Sequence, residues 1–179
     1  IDRSRGLGDV YKRQILTASH VISKATDVKV RDIKGELFSA KIIKNSISTD
    51  LALLKTELEL RPITIETKKP KIGSSACLIS NSFGLNIGIT CGVISATGLS
   101  NIGFNDIEDF LQTDAAANPG SSGGALVNLN GELLGMMSGI FTKNTDTNAG
   151  VNFAISSGLI SKFLACLLYT SPSPRDRSI

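Results

Sequence analysis

Short apolar runs, broken repeatedly by turn-forming residues, are the feature that most limits what this chain can fold into. The runs are rich in Val, Ile and Leu, and Gly, Asn, Asp and Ser separate them. Asn130-Gly131, which stands between two such runs, is the strongest β-hairpin signal in the chain. Helical periodicity is scarce, so the pattern predicts an all-β barrel or sandwich. The predicted strands are 27–32, 36–44, 50–56, 75–80, 88–96, 124–129, 131–139 and 151–156.

Two segments depart from this strand pattern. Residues 61–73 contain two prolines and several basic residues, which is typical of a connection between two halves of a fold. Residues 156–165 begin with a serine that can cap a helix and carry apolar residues at helical spacing, so they predict a short C-terminal helix.

Both ends of the chain, residues 1–14 and 166–179, resemble translated sequencing adapter, and we exclude them from the fold. Codons can be chosen for most of the first segment whose reverse complement encodes most of the second. The two ends also carry the whole formal net charge of +3. Residues 15–165 are therefore neutral, and the composition gives no reason to expect a nucleic-acid partner.

The cysteines that remain after this exclusion are Cys77 and Cys91. No Cys-x-x-Cys or Cys/His spacing typical of zinc occurs, so we expect no metal, and nothing in the sequence calls for a cofactor. Two alternatives stay open for the pair. The cysteines could form a disulfide across a hairpin, or they could be two small core residues with free thiols, which is the interpretation we favour.

Residues 120–124 fit the pattern Gly-x-Ser-x-Gly, with Ser122 at its centre. In α/β-hydrolases this pattern forms a sharp turn between a strand and a helix, and the acid and histidine follow the serine. Here a predicted hairpin follows Ser122, and the only histidine, His20, precedes it. The α/β-hydrolase interpretation therefore fails.

The order His20, Asp50, Ser122 suggests another catalytic arrangement. A serine hydroxyl is a weak nucleophile that needs an imidazole to accept its proton. The imidazole in turn needs a carboxylate that fixes its tautomer. The oxyanion formed on a substrate needs backbone N–H donors, and the glycine-containing turn before Ser122 can supply them.

The segments around these residues resemble the HtrA/Deg family of chymotrypsin-like serine proteases. The resemblance rests on TASHVI, STDLALL and QTDAAANPGSSGGALVNLNGELLGM, with SNSFGL, GVISA and GVNFAIS as further matches. It covers nearly all of residues 15–165. It implies an all-β fold of two antiparallel β-barrels, residues 15–66 and 67–165, with the active site between them and a short terminal helix.

The same resemblance implies roles for individual residues. His20 is the expected general base, Asp50 its orienting acid and Ser122 the nucleophile. The backbone N–H groups of Gly120, Ser121 and Ser122 are the expected oxyanion hole.

Some departures from the family pattern matter. The family usually has GNSGG, and in this chain Ser121 takes the place of the asparagine. We expect little loss of activity because that position contributes mainly its backbone. Its usual GNPFGL has become SNSFGL (80–85), a less rigid loop. Family strands that precede residue 15 are replaced by adapter-like sequence, so we expect the first barrel to be incomplete.

The expected substrate pocket is apolar. Ala116 stands six residues before Ser122, where related enzymes that cut after Lys or Arg carry an aspartate. Val151 and Phe153 lie on the strand that is expected to line the same pocket. The resemblance implies cleavage after small aliphatic residues in unfolded proteins, a bacterial periplasm or cell envelope as location, and a parent that is a homotrimer or higher oligomer with PDZ domains.

Two other hypotheses remain beside a serine endopeptidase. The first is a protease-like module that holds peptides, as a chaperone does, without cutting them; the complete His/Asp/Ser set argues against it. The second is a fragment that folds poorly and is inactive, because missing strands leave open edges that are prone to aggregation.

Overall fold

The computed structural model of the chain describes residues 13–140 and 150–165. The adapter-like ends lie outside these ranges except for Arg13 and Gln14, and Gln14 is the first residue of a strand. In the described part of the chain, no helix has the length and apolar character needed to cross a bilayer.

The described residues form ten strands and two helices. In chain order they are β1 (Gln14–Ala18), α1 (Ser19–Ile22), β2 (Val28–Arg31), β3 (Leu37–Ser46), β4 (Leu51–Thr56), β5 (Ser75–Ser80), β6 (Gly88–Leu99), β7 (Phe110–Thr113), β8 (Ala125–Val127), β9 (Leu133–Ile140), β10 (Asn152–Ser156) and α2 (Ser157–Ala165). Single 3₁₀ turns lie at Ile47–Thr49 and Ser82–Gly84.

These strands form two antiparallel units. The N-terminal sheet is open and has the order β1-β4-β3-β2, whereas the C-terminal barrel is closed in the order β10-β7-β6-β5-β8-β9. The predicted all-β class, the incomplete first barrel and the short terminal helix are all confirmed. The Ser156 hydroxyl accepts the N–H of Leu159 at 3.1 Å, as a helix cap does.

Strand β4 connects the two units because both of its faces are buried. Leu51 and Leu53 pack with barrel residues such as Phe110, whereas Ala52 and Leu54 pack with Ile22 inside the N-terminal sheet. A strand alternates its side chains between two faces, so a continuous apolar run is what a strand between two cores requires. Asp50, the residue before β4, is consequently carried to the boundary between the units.

The two cysteines of the described residues are joined, so the favoured free-thiol interpretation is wrong. Cys77 on β5 stands directly opposite Cys91 on β6, with a Cα–Cα distance of 4.0 Å, and their sulfurs form a disulfide. Cys91 is exposed, not a core residue. The apolar runs around both cysteines suggested burial, but only the strand register could show that they face each other.

Candidate active site

His20 and Asp50 meet because the strands beside them are paired. Ala18 at the end of β1 lies opposite Leu51 at the start of β4. The N–H of Ser19 donates to the carbonyl oxygen of Asp50 at 3.1 Å, which continues this pairing by one residue. The segments that carry His20 and Asp50 therefore leave the sheet side by side.

The Asp50 carboxylate holds the His20 ring in one orientation. His20 Nδ1 lies 2.8 Å from Asp50 Oδ2 and 3.0 Å from Oδ1, and the His20 backbone N–H donates to Oδ1 at 2.9 Å. Because an ionised carboxylate can only accept, Nδ1 must be the donor, and Nε2 of a neutral ring is left as an acceptor. The Asp50 side chain is 8% exposed and that of His20 is 50% exposed, so the ring joins a buried acid to an open cleft.

Ser138 on β9 is a residue that the sequence reasoning missed. Its hydroxyl donates to Asp50 Oδ2 at 2.6 Å, and its backbone carbonyl lies 3.5 Å from the Ser122 hydroxyl. It therefore contacts both Asp50 of the N-terminal sheet and Ser122 of the barrel. A hydroxyl within the otherwise apolar run LLGMMSG was the one sequence signal for it.

Ser122 follows the turn that leads into β8, and its side chain is half-buried. Its hydroxyl donates to the Ser138 carbonyl at 3.5 Å, the long limit of a hydrogen bond. No hydrogen bond joins Ser122 to His20 among the residues that the structure describes. Catalytic hydrogen bonds often become short and well aligned only once substrate is bound.

The backbone before Ser122 turns sharply through Gly120, whose φ is +95°. A Cβ at this position would lie 2.7 Å from the carbonyl oxygen of Asn81, so only glycine fits. The N–H of Ser121 donates to the Asn118 carbonyl at 2.9 Å. Within the described ranges, the N–H groups of Gly120 and Ser122 have no hydrogen-bond partner. Two of the three predicted oxyanion donors are therefore available to a ligand.

The three predicted pocket residues lie in different surroundings. Ala116 is exposed, and its carbonyl accepts the Thr90 hydroxyl at 2.7 Å. Val151 is half-buried against the core, and Phe153 is 4% exposed. The Phe153 ring packs against that of Phe104 with a centroid separation of 5.5 Å.

A cleft of about 480 Å³ opens beside His20. Phe104 and Asn105 form part of its wall, and Phe104 also lies over Gly139, beside Ser138. The other residues of the wall are Ser19, Ser23, Ile47, Asp50 and Ser138. Phe104 and Ile47 supply the apolar side chains of the cleft, and the rest of its lining is mostly polar.

One carboxylate holds the loop that carries Phe104. Glu108 accepts the backbone N–H groups of Ile102, Gly103, Phe104 and Asn105 at 2.6 to 3.1 Å. Burial opposes ionisation of Glu108, but these four hydrogen bonds outweigh it and lower the pKa of the carboxyl below its usual value.

Comparison with known proteins shows which family the chain resembles. The family profile described as trypsin-like peptidase domain matches residues 6–136. The periplasmic serine endoprotease DegP of Escherichia coli K12 is 37% identical over 155 residues, which cover 85% of this chain and 32% of DegP. The periplasmic pH-dependent serine endoprotease DegQ of the same organism is 38% identical over 151 residues, covering 83% of this chain and 33% of DegQ.

A solved structure of an HtrA-type protease is also similar to this chain. The HtrA-type protease AlgW with a decapeptide superposes with a TM-score of 0.84 at 36% identity, covering 89% of this chain and 50% of AlgW. The chain spans about a third of the length of the curated relatives it matches.

Proposed function

The chain belongs to the trypsin-like peptidase family, in its HtrA/Deg branch, and from this premise we propose that it is the protease part of a serine endopeptidase that cleaves unfolded or damaged proteins. The observation that carries the proposal is the two-point contact of His20 with the buried Asp50 carboxylate, which leaves Nε2 free to act as a base. The link through Ser138 to Ser122 supports the same assignment.

In the proposed reaction, His20 Nε2 takes the proton of the Ser122 hydroxyl while Oγ attacks the carbonyl carbon of the scissile peptide. The N–H groups of Gly120 and Ser122 stabilise the oxyanion that forms. The C–N bond then breaks, His20 protonates the leaving amine, and an acyl group remains on Ser122. Water, deprotonated by His20, attacks this acyl-enzyme and releases the acid product and free Ser122.

Substrate preference is proposed from the pocket residues. Ala116, Val151 and Phe153 supply no charge that could pair with Lys or Arg, so we expect small aliphatic residues before the scissile bond. Phe104 at the cleft beside His20 adds an apolar surface for residues further upstream in the peptide.

The setting of the whole protein is proposed from its relatives. The curated relatives are named periplasmic proteases, and we propose the periplasm or cell envelope for this one. A homotrimer or higher oligomer with PDZ domains is proposed for the parent on the same family resemblance.

A serine-directed fluorophosphonate tests the proposal on the full-length protein. We expect it to label Ser122, as mapped by peptide mass spectrometry, and Ser122→Ala to abolish both labelling and about 10⁴-fold or more of the peptidase activity. Ser161→Ala removes an exposed serine on α2 and is the matched control that keeps both. Labelling at another residue, or labelling that survives Ser122→Ala, would contradict the assignment.

A second candidate is a module that binds peptides without cutting them. It is favoured by the position of the Ser122 hydroxyl, which is directed at the Ser138 carbonyl instead of His20. Casein turnover by the full-length protein, compared with peptide binding by Ser122→Ala, separates the two candidates. Peptide binding with no casein turnover in the wild type would establish the second one.

A further inference from the structure

Three hydroxyls that replace other residues in the family motifs meet at one point beside the active loop. Ser80 and Ser82 stand where GNPFGL has glycine and proline, and Ser121 stands where GNSGG has asparagine. The Ser121 hydroxyl lies 3.1 Å from that of Ser80 and 2.9 Å from that of Ser82. We call Ser80, Ser82 and Ser121 the serine cluster.

Every donor and acceptor site of the Ser121 hydroxyl has a hydrogen-bond partner. Its Oγ accepts the Ser80 hydroxyl proton and the N–H of Asn118, the latter at 3.1 Å. A hydroxyl has two acceptor sites and one donor, so the Ser121 proton is left for Ser82 Oγ. Ser121 is 2% exposed, and a buried hydroxyl with all its partners holds a defined position.

The same cluster borders the backbone that presents the oxyanion donors. The N–H of Phe83, next to Ser82, donates to the Pro119 carbonyl at 2.7 Å. Gly120 approaches the Asn81 carbonyl so closely that a Cβ would lie 2.7 Å from it. Residues 80–83 therefore pack directly against residues 118–122.

We infer that the serine cluster positions the loop 118–122, so that the N–H groups of Gly120 and Ser122 point into one oxyanion site. This inference rests on the proposed protease function and adds a residue set to it. The three serines form one interdependent set, because the Ser121 hydroxyl is hydrogen bonded to both of the others. Position 121 thus acts through its side chain as well as its backbone.

Full-length variants test this inference. Ser121→Ala leaves the Asn118 N–H and the Ser80 hydroxyl without their acceptor. We expect kcat on a peptide substrate to fall about 10- to 100-fold with KM within about twofold, because oxyanion donors act mainly in the transition state. Ser74→Ala removes a hydroxyl bonded to Lys71, in the turn before β5, and serves as the control.

The coupling between the serines gives a sharper test. Ser121→Asn alone is expected to lower kcat as much as Ser121→Ala does. The triple variant Ser80→Gly, Ser82→Pro, Ser121→Asn, which restores the family residues, is expected to return kcat to within about threefold of wild type. A triple variant no more active than Ser121→Asn alone would contradict the coupling.

Amide hydrogen exchange in a peptide covering 116–124 provides a readout that does not depend on activity. We expect exchange about tenfold faster in Ser121→Ala, and also in Ser82→Ala should Ser121→Ala fail to fold. Unchanged exchange would overturn the inference even if wild-type Ser122 is labelled. Faster exchange in a protein whose Ser122 is not labelled would overturn the protease proposal and leave the positioning role standing.

Discussion

Asp50 is the residue on which the candidate site depends most. It is buried, its φ of +55° is in the left-handed region, and three groups donate to its carboxylate: the His20 ring, the His20 N–H and the Ser138 hydroxyl. These three hydrogen bonds give the buried carboxylate the polar partners that it loses on leaving water. A non-glycine residue held at positive φ stores strain that the surrounding structure must balance, and such residues cluster at functional sites.

We predict that Ser138→Ala lowers kcat/KM by about tenfold, because Asp50 loses one of its donors and orients His20 less firmly. Ser138→Thr keeps a hydroxyl at this position and is expected to retain most of the activity. Steady-state kinetics over pH 5–9 measures the effect. Equal activity of both variants with wild type would show that the contact is irrelevant.

The sequence pointed to candidate residues by their type and missed those whose significance depends on where the fold places them. The only histidine and the order of acid and serine pointed to His20, Asp50 and Ser122. Ser138 lies 88 residues from Asp50 in the chain, and neither its bond to Asp50 nor its carbonyl has a sequence pattern. The serine cluster was likewise visible only as separate departures from two motifs, since nothing local shows that they meet.

At the scale of elements, the sequence predicts where strands lie but not how they pair. The strand pattern predicted most strand positions to within a few residues, because alternation and turn residues are local properties. It could not predict register, and register decides that Cys77 faces Cys91. The β5–β6 hairpin that this disulfide crosses also carries Ser80 and Ser82 to the active loop.

The disulfide should contribute measurably to stability. Crossing a loop of 14 residues corresponds to about 3 kcal/mol in the chain-entropy picture, and the hairpin around it reduces this value. We predict that reduction by dithiothreitol lowers the melting temperature by several degrees, as followed by circular dichroism. The double variant Cys77→Ala, Cys91→Ala should melt at the lower temperature with or without the reductant. A reductant effect that persists in the double variant would assign it to another site.

Glu108 makes the stability contributed by the loop beside the cleft depend on pH, and the direction of this dependence follows from its lowered pKa. Its pKa is lower in the folded chain than its usual 4.5, so its stabilisation is present above that value and is lost as the pH falls through the lower folded pKa. We predict that Glu108→Gln melts below wild type at pH 7 and that the two melting temperatures converge as the pH falls from 4.5 through the lower folded pKa. Asp106→Asn, an exposed neighbour, is the control that should not change the melting temperature at pH 7. A constant difference across this range would contradict the assignment.

At the scale of the whole molecule, the candidate site depends on how two units meet. His20 follows β1 and Asp50 precedes β4 of the N-terminal sheet, whereas Ser122 lies in the loop before β8 of the barrel and Ser138 lies on β9. Leu51 and Leu53, on the barrel-facing side of β4, pack between the segment that carries Asp50 and the barrel that carries Ser122. Within the described residues, β1 and β2 are the edge strands of the N-terminal sheet, and β4 is the strand that packs on both cores.

Substitution of two adjacent leucines of β4 can distinguish an effect on stability from an effect on the alignment of the two units. Leu53 and Leu54 are 2% and 3% exposed, but Leu53 faces the barrel core and Leu54 faces the core of the N-terminal sheet. Leucine-to-alanine changes at such sites cost about 2–5 kcal/mol each, so both variants should lose similar stability in urea. Leu53→Ala alone is expected to reduce kcat about tenfold at temperatures where both are fully folded, because the cavity lies between the unit that holds His20 and the unit that holds Ser122. The same kcat in the two variants would contradict this role of the barrel-facing side of β4.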